Sequence, residues 1–128
     1  MGYTTFTGKR TRTGTRVLVN EGGDASANLP VYLNEVNHSP DGFEWGYYGS
    51  GPSQLAYAIL RYMFGKMFTD QGKAQEIAEA NYMEFKRDVI ADIHADEWTI
   101  TEKQIESALA LYIAKFVPAW LDGFENLC

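Results

Sequence analysis

Apolar and polar positions change period along this chain, and the change divides it. Tyr3 to Thr7 and Thr15 to Asn20 are short runs rich in Thr, Val, Tyr and Phe, the composition of a pleated, half-buried surface. Gly8 and Gly14 bracket the polar stretch between them, which predicts a β-hairpin with a longer, basic loop. Leu29 to Val36 alternates weakly around Val31 and Leu33 and predicts a third strand. Beyond residue 50 the period becomes helical. Leu55, Ala58, Ile59, Tyr62 and Met63 share one face, and a second stripe runs from Ala74 through Ile77, Ala78, Tyr82, Phe85 and Val89 to Ile93. A third joins Ile105, Ala108, Leu109, Tyr112, Ile113 and Phe116. It opens on Thr101-Glu102-Lys103-Gln104, a capping-box spelling, and Pro118 limits its far end.

These patterns predict an α+β domain: a small N-terminal antiparallel sheet, a hairpin plus a third strand, packed on about three helices. Residues 1–128 make one domain, mainly β over 1–36, a turn and Gly-rich loop over 37–54, and mainly helical over 52–128.

Composition adds little to this except in its aromatics and its charge. The 3 Trp, 8 Tyr and 7 Phe are many for this length, and rings with polar tips suit binding or subunit surfaces as well as cores. Net charge is −6, yet the first twenty residues carry Lys9, Arg10, Arg12 and Arg16 with no acid. The acidic remainder argues against direct nucleic-acid binding. Arg10, Arg12 and Arg16 share parity, so an extended chain would line them on one face, either to grip an anion or to keep a sheet edge from pairing wrongly. The single cysteine, Cys128, has no partner for a disulfide, and the first fifteen residues lack the apolar core of a signal peptide. The expectation is a soluble cytoplasmic protein with no membrane span, for which a homo-oligomer is open.

The informative segment is NHSPDGFEWGYYGSGPSQLAYAIL, residues 37–60. Ser39-Pro40-Asp41-Gly42 has β-turn chemistry. Gly46, Gly49 and Gly51 punctuate a loop with Tyr47, Tyr48 and Ser50. Pro52 suits the first turn of a helix running from Ser50 to about Phe64, with Ser50 or Gly51 as N-cap and Gln54 reaching back. Such a start offers unpaired N–H groups and a positive dipole to an anion. Its spelling is neither a Walker A loop nor a dinucleotide fingerprint, and no cofactor motif occurs. Phe43, Trp45, Tyr47 and Tyr48 beside it could stack on a flat ligand or anchor a protein; alternatively, Phe43 and Trp45 face inward. His38, Asp41 and Glu44 are the close-set acid–base group, without an activated nucleophile nearby. Asp88, Asp92, His94, Asp96 and Glu97 form a second cluster, with no metal-site spelling.

The central string resembles the signature of an uncharacterised domain family of prokaryotic and phage proteins. The resemblance extends to Phe6-x-Gly8-Lys9-Arg10, to Asn81-Tyr82-x-x-Phe85-Lys86 and to Trp98. It implies that residues 37–54 form a shared centre, and it brings no known activity. By analogy with small acidic phage proteins, the expectation is a non-enzymatic binder, an inhibitor of host defence. It would take a protein partner or a small phosphorylated ligand through His38, Phe43, Trp45, Tyr47, Tyr48, Gly49, Ser50, Gly51 and Gln54. The alternative is a small enzyme acting on a phosphorylated nucleotide, with His38, Asp41 and Glu44 in its site.

Overall fold

The computed structural model describes the backbone of residues 3–116 and the side chains of residues 3–110. Strand β1 (Thr5–Thr11) and strand β2 (Gly14–Asn20) pair antiparallel, with only Arg12-Thr13 between them. The hairpin is therefore tight, and the basic stretch expected in its loop lies mostly within the strands. Gly8 is not a breaker: a Cβ there would come within 2.2 Å of the Trp98 ring, so its lack of a side chain makes room for the indole.

The register sets Lys9 opposite Arg16 and Arg10 opposite Thr15. Residues paired across strands share a face, so the odd positions of β1 go with the even positions of β2. Arg10 thus falls on the face of Phe6, Val17 and Val19, Arg16 falls on the opposite face, and Arg12 is in the turn. The predicted arginine row does not form, because crossing the turn inverts parity.

A two-residue strand β3 (Ala27–Asn28) extends β2. The third strand expected over Leu29–Val36 is not there. Leu29 N–H still bonds to Val17 O, but Pro30 has no N–H to continue the ladder, and Tyr32 turns the chain at φ 58°. Helix α1 (Ser50–Met67) follows, then α2 (Gln71–Phe85), whose Asp70 cap accepts from Lys73 N–H at 3.2 Å. The chain then passes into a π-helical turn, Lys86–Ile90, closed by Ala91 N–H on Lys86 O.

Strand β4 (Glu97–Thr101) comes next and pairs antiparallel with β1, giving the sheet order β3-β2-β1-β4. The helical half thus supplies the fourth strand. Helix α3 (Glu102–Phe116) starts at once, with the capping box formed: Thr101 N–H bonds to Gln104 Oε1 at 2.8 Å and Gln104 N–H to Thr101 Oγ1 at 3.1 Å. Ile105 and Leu109 of its stripe are buried. The side chains of Tyr112, Ile113 and Phe116, together with Pro118 and Cys128, lie outside the described residues.

The architecture is α+β, with one core. Phe6, Val17, Val19 and Ile100 on the inner sheet face meet Leu55, Ile59 and Phe64 of α1, which is buried at every position from Gly51 to Arg61. A helix buried all round lies at the centre, its polar Gln54 and Arg61 met internally, and α2 packs against it. No helix among the described residues is long and apolar enough to cross a membrane.

Candidate functional site

The segment before α1 is held at every step. Gly42 N–H bonds to Ser39 O, closing the predicted turn with Gly42 at φ 105°. Gln54, fully buried, winds the preceding chain around its amide. It accepts from His38 N–H (2.7 Å) and Ser39 N–H (3.3 Å) and donates to Val31 O (2.7 Å) and Val36 O (2.8 Å). It is an internal organiser, not a ligand-binding residue or a cap.

Phe43 and Trp45 point into the core, Trp45 at 1% exposure with its indole N–H on Ala95 O at 2.9 Å. Neither ring belongs to a binding surface. Glu44, between them, faces outward to Arg10, whose Nη2 lies 2.6 Å from Glu44 Oε1. Arg10 also donates to Asp96 Oδ1 (2.8 Å) and Trp45 O (3.2 Å), and its guanidinium lies 4.6 Å from the Trp45 ring centroid. Four of the five Arg10 N–H donors are thus engaged within the chain and its charge is met by two carboxylates, which leaves little to attract an exogenous anion. Thr15 Oγ1 adds a bond to Phe43 O.

The helix start is also closed. Its N-cap is Gly49, extended and without a side-chain bond, so the cap falls one residue before Ser50. A Cβ on Gly51 would lie 2.6 Å from Glu44 Cβ, and one on Gly49 would lie 2.3 Å from the Tyr47 ring. Lys86 Nζ reaches Ser53 Oγ at 2.9 Å. The first turn is packed, with only Ser50 exposed.

At Gly46 the alternation breaks. Its φ of 90° turns the chain, its N–H bonds to Ile90 O, and a Cβ would stand 2.7 Å from Ile93 O. Tyr47 and Tyr48 both emerge, 50% and 71% exposed. They form one side of a groove of about 570 Å³ whose other side carries Arg87, Asp88, Asp92 and His94. Two stretches that the sequence flagged separately therefore meet here, beside a π-helical turn, a feature frequent at functional sites. Arg87 forks onto Asp88 (2.9 and 3.3 Å), and His94 Nε2 lies 3.4 Å from Asp92 Oδ1. The rest of that acidic cluster is elsewhere, Asp96 on Arg10 and Glu97 on Lys9. Among the described residues no group of three or more His, Cys, Asp or Glu is placed to hold a metal.

His38, Asp41 and Glu44 have separate surroundings. His38 stacks on Tyr82 at 5.2 Å with Nε2 buried and unpaired, Asp41 is exposed at the turn, and Glu44 is on Arg10.

One constellation escaped the sequence reading. Arg61, 7% exposed on α1, donates to Glu35 Oε1 (2.9 Å) and Gln71 Oε1 (2.8 Å) beside the Tyr32 ring. Tyr57 O–H bonds to the same Glu35 oxygen at 2.7 Å. Burial first, and the Glu35 bond second, push the Tyr57 phenol well above its ordinary range. The Tyr57–Arg61 spacing on a buried helix was the available signal. The cluster seals the loop to α1.

With this geometry in place, comparison with known families gives a match over residues 6–111 to DUF6166, a family of unknown function. The chain belongs to this family. The DUF6166 match begins at Phe6 in β1 and ends within α3, so it takes in all of the sheet but Thr5, the clamped 43–46 segment and both sides of the groove. No curated protein and no solved structure matches the chain.

Proposed function

We propose that the protein works by binding, not by turnover, and that the Tyr47–Tyr48 groove is its contact surface. One observation carries this reading: two consecutive tyrosines stand exposed on a backbone tied down on both sides, by Trp45 and Gly46 before them and the start of α1 after. Rigid tyrosines give large amphipathic contact area at small entropic cost, so a prearranged pair favours recognition. The separate surroundings of His38, Asp41 and Glu44 speak against the enzyme alternative. Asp88 and Asp92 in the groove disfavour a phosphorylated ligand and favour a protein partner. A phage or mobile-element inhibitor acting at stoichiometric ratio is the form of binder this reading supports.

The test replaces Tyr47 and Tyr48 together by alanine, checks that the melting curve is retained, and compares proteins captured from producing cells by quantitative mass spectrometry. Loss of specific partners from the double variant supports the surface. An unchanged set, or action far below one copy per target that disappears in folded His38→Ala, overturns it.

A further inference from the structure

The two edges of the sheet differ in how they are guarded. β3 is two residues long, a short edge that offers little to pair with. β4, at the other edge, is Glu-Trp-Thr-Ile-Thr, with no proline, no lysine and three β-branched residues. Arg10 N–H bonds to Asp96 O, and Glu102 N–H to Thr4 O. With the β1–β4 register, those two bonds make the even-numbered residues of β4 the ones tied to β1. The N–H and C=O groups of Glu97, Thr99 and Thr101 therefore point away from the sheet. Among the described residues Thr101 N–H is taken by Gln104 Oε1, and the Thr101 carbonyl, at the N-cap of α3, accepts from the helix's first turn.

We propose that β4 pairs antiparallel with β4 of a second copy about a two-fold axis through Thr99, joining two sheets into one. This register uses all five residues. Thr99 exchanges N–H···O=C bonds with Thr99 of the second copy, and Glu97 N–H meets the second lone pair of the Thr101 carbonyl, the first being taken by the opening turn of α3. Side chains agree with it. Glu97 faces Thr101 and not another Glu97, and its charge is already met by Lys9 at 3.4 Å within its own chain. Trp98 faces Ile100 on the inner side. An axis through Glu97 would set two carboxylates against each other. The self-complementary edge is what an isologous dimer requires.

The experiment is size-exclusion chromatography with light scattering over a concentration series. Wild type should approach twice the chain mass of 14.4 kDa. Thr99→Pro removes the outward N–H while leaving every bond to β1, and Thr99→Arg sets two cations face to face. Each should weaken dimerisation at least tenfold with an unchanged far-UV spectrum. Should the proline variant lose its fold, the arginine variant decides. A wild type that stays monomeric throughout, or a dimer that survives Thr99→Arg, overturns the proposal.

Discussion

Replacing Gln54 by leucine keeps roughly the volume of the side chain and removes its amide. The amide spends its full capacity, two acceptor sites and two donors, on His38, Ser39, Val31 and Val36. The variant leaves two N–H groups and two carbonyls without that partner. A buried polar group left unmet costs about 1–3 kcal/mol. The 3.3 Å bond from Ser39 counts least, and the half-buried state of Val31, Val36 and His38 lets water meet part of the loss. The expected destabilisation is therefore about 2–4 kcal/mol. Gln54→Glu should be worse, because it keeps the acceptor and turns negative charge toward two carbonyls. Urea unfolding should show a lower midpoint at unchanged slope, and hydrogen exchange at the His38 and Ser39 amides should accelerate first. A leucine variant within about 0.5 kcal/mol of wild type, the range of an ordinary surface change, would refute the view that Gln54 organises the loop.

Leu109→Ala should cost about 2–5 kcal/mol in the same assay, since Leu109 is buried against α1; an unchanged midpoint would mark that face as exposed. Gly8→Ala should push the Trp98 ring aside, losing about 1–3 kcal/mol and shifting tryptophan emission, whereas unshifted emission would contradict the close approach. The Tyr62 hydroxyl first, and Lys66 second, hold the Glu21 carboxyl below its ordinary value. Its contribution is full above the unfolded-state value, near pH 4.5, and is lost as pH falls through the lower folded value. Tyr62→Phe should flatten that part of an acid melting series. Burial, and then Glu21, raise the Tyr62 phenol, so wild-type stability should also fall above about pH 10, and less steeply in Tyr62→Phe.

What the sequence showed was mostly local chemistry. The 39–42 turn, the Gly-Ser-Gly-Pro helix start and the Thr101–Gln104 capping box each follow from a few adjacent residues, and each is present. What it hid depends on distant partners. Trp-Thr-Ile-Thr becomes a strand because β1 offers an edge, and Gly8 is small because Trp98 lies over it. Inward Trp45 and outward Tyr47 have equal claims by composition; the positive φ at Gly46, set by Ile90 and Ile93, separates them. Arg61 can sit buried on α1 only because Glu35, from the loop before the helix, meets it.

The pairing of β1 with β4 also sets an order in time. During synthesis the β1–β2 hairpin can close once residue 20 has emerged, but the strand that covers the other side of β1 ends about ninety residues after β1 does. At roughly 5–20 residues per second, that is about 4–18 seconds with an open β-edge. Through that interval Lys9 and Arg10 hold charge on the exposed strand, with Arg12 in the adjoining turn and no acid yet available from β4. Arg10 later becomes the clamp on Glu44 and Asp96. The same guanidinium thus guards the nascent hairpin against wrong pairing and then, when its carboxylates arrive, locks the finished sheet to the segment that carries the tyrosines.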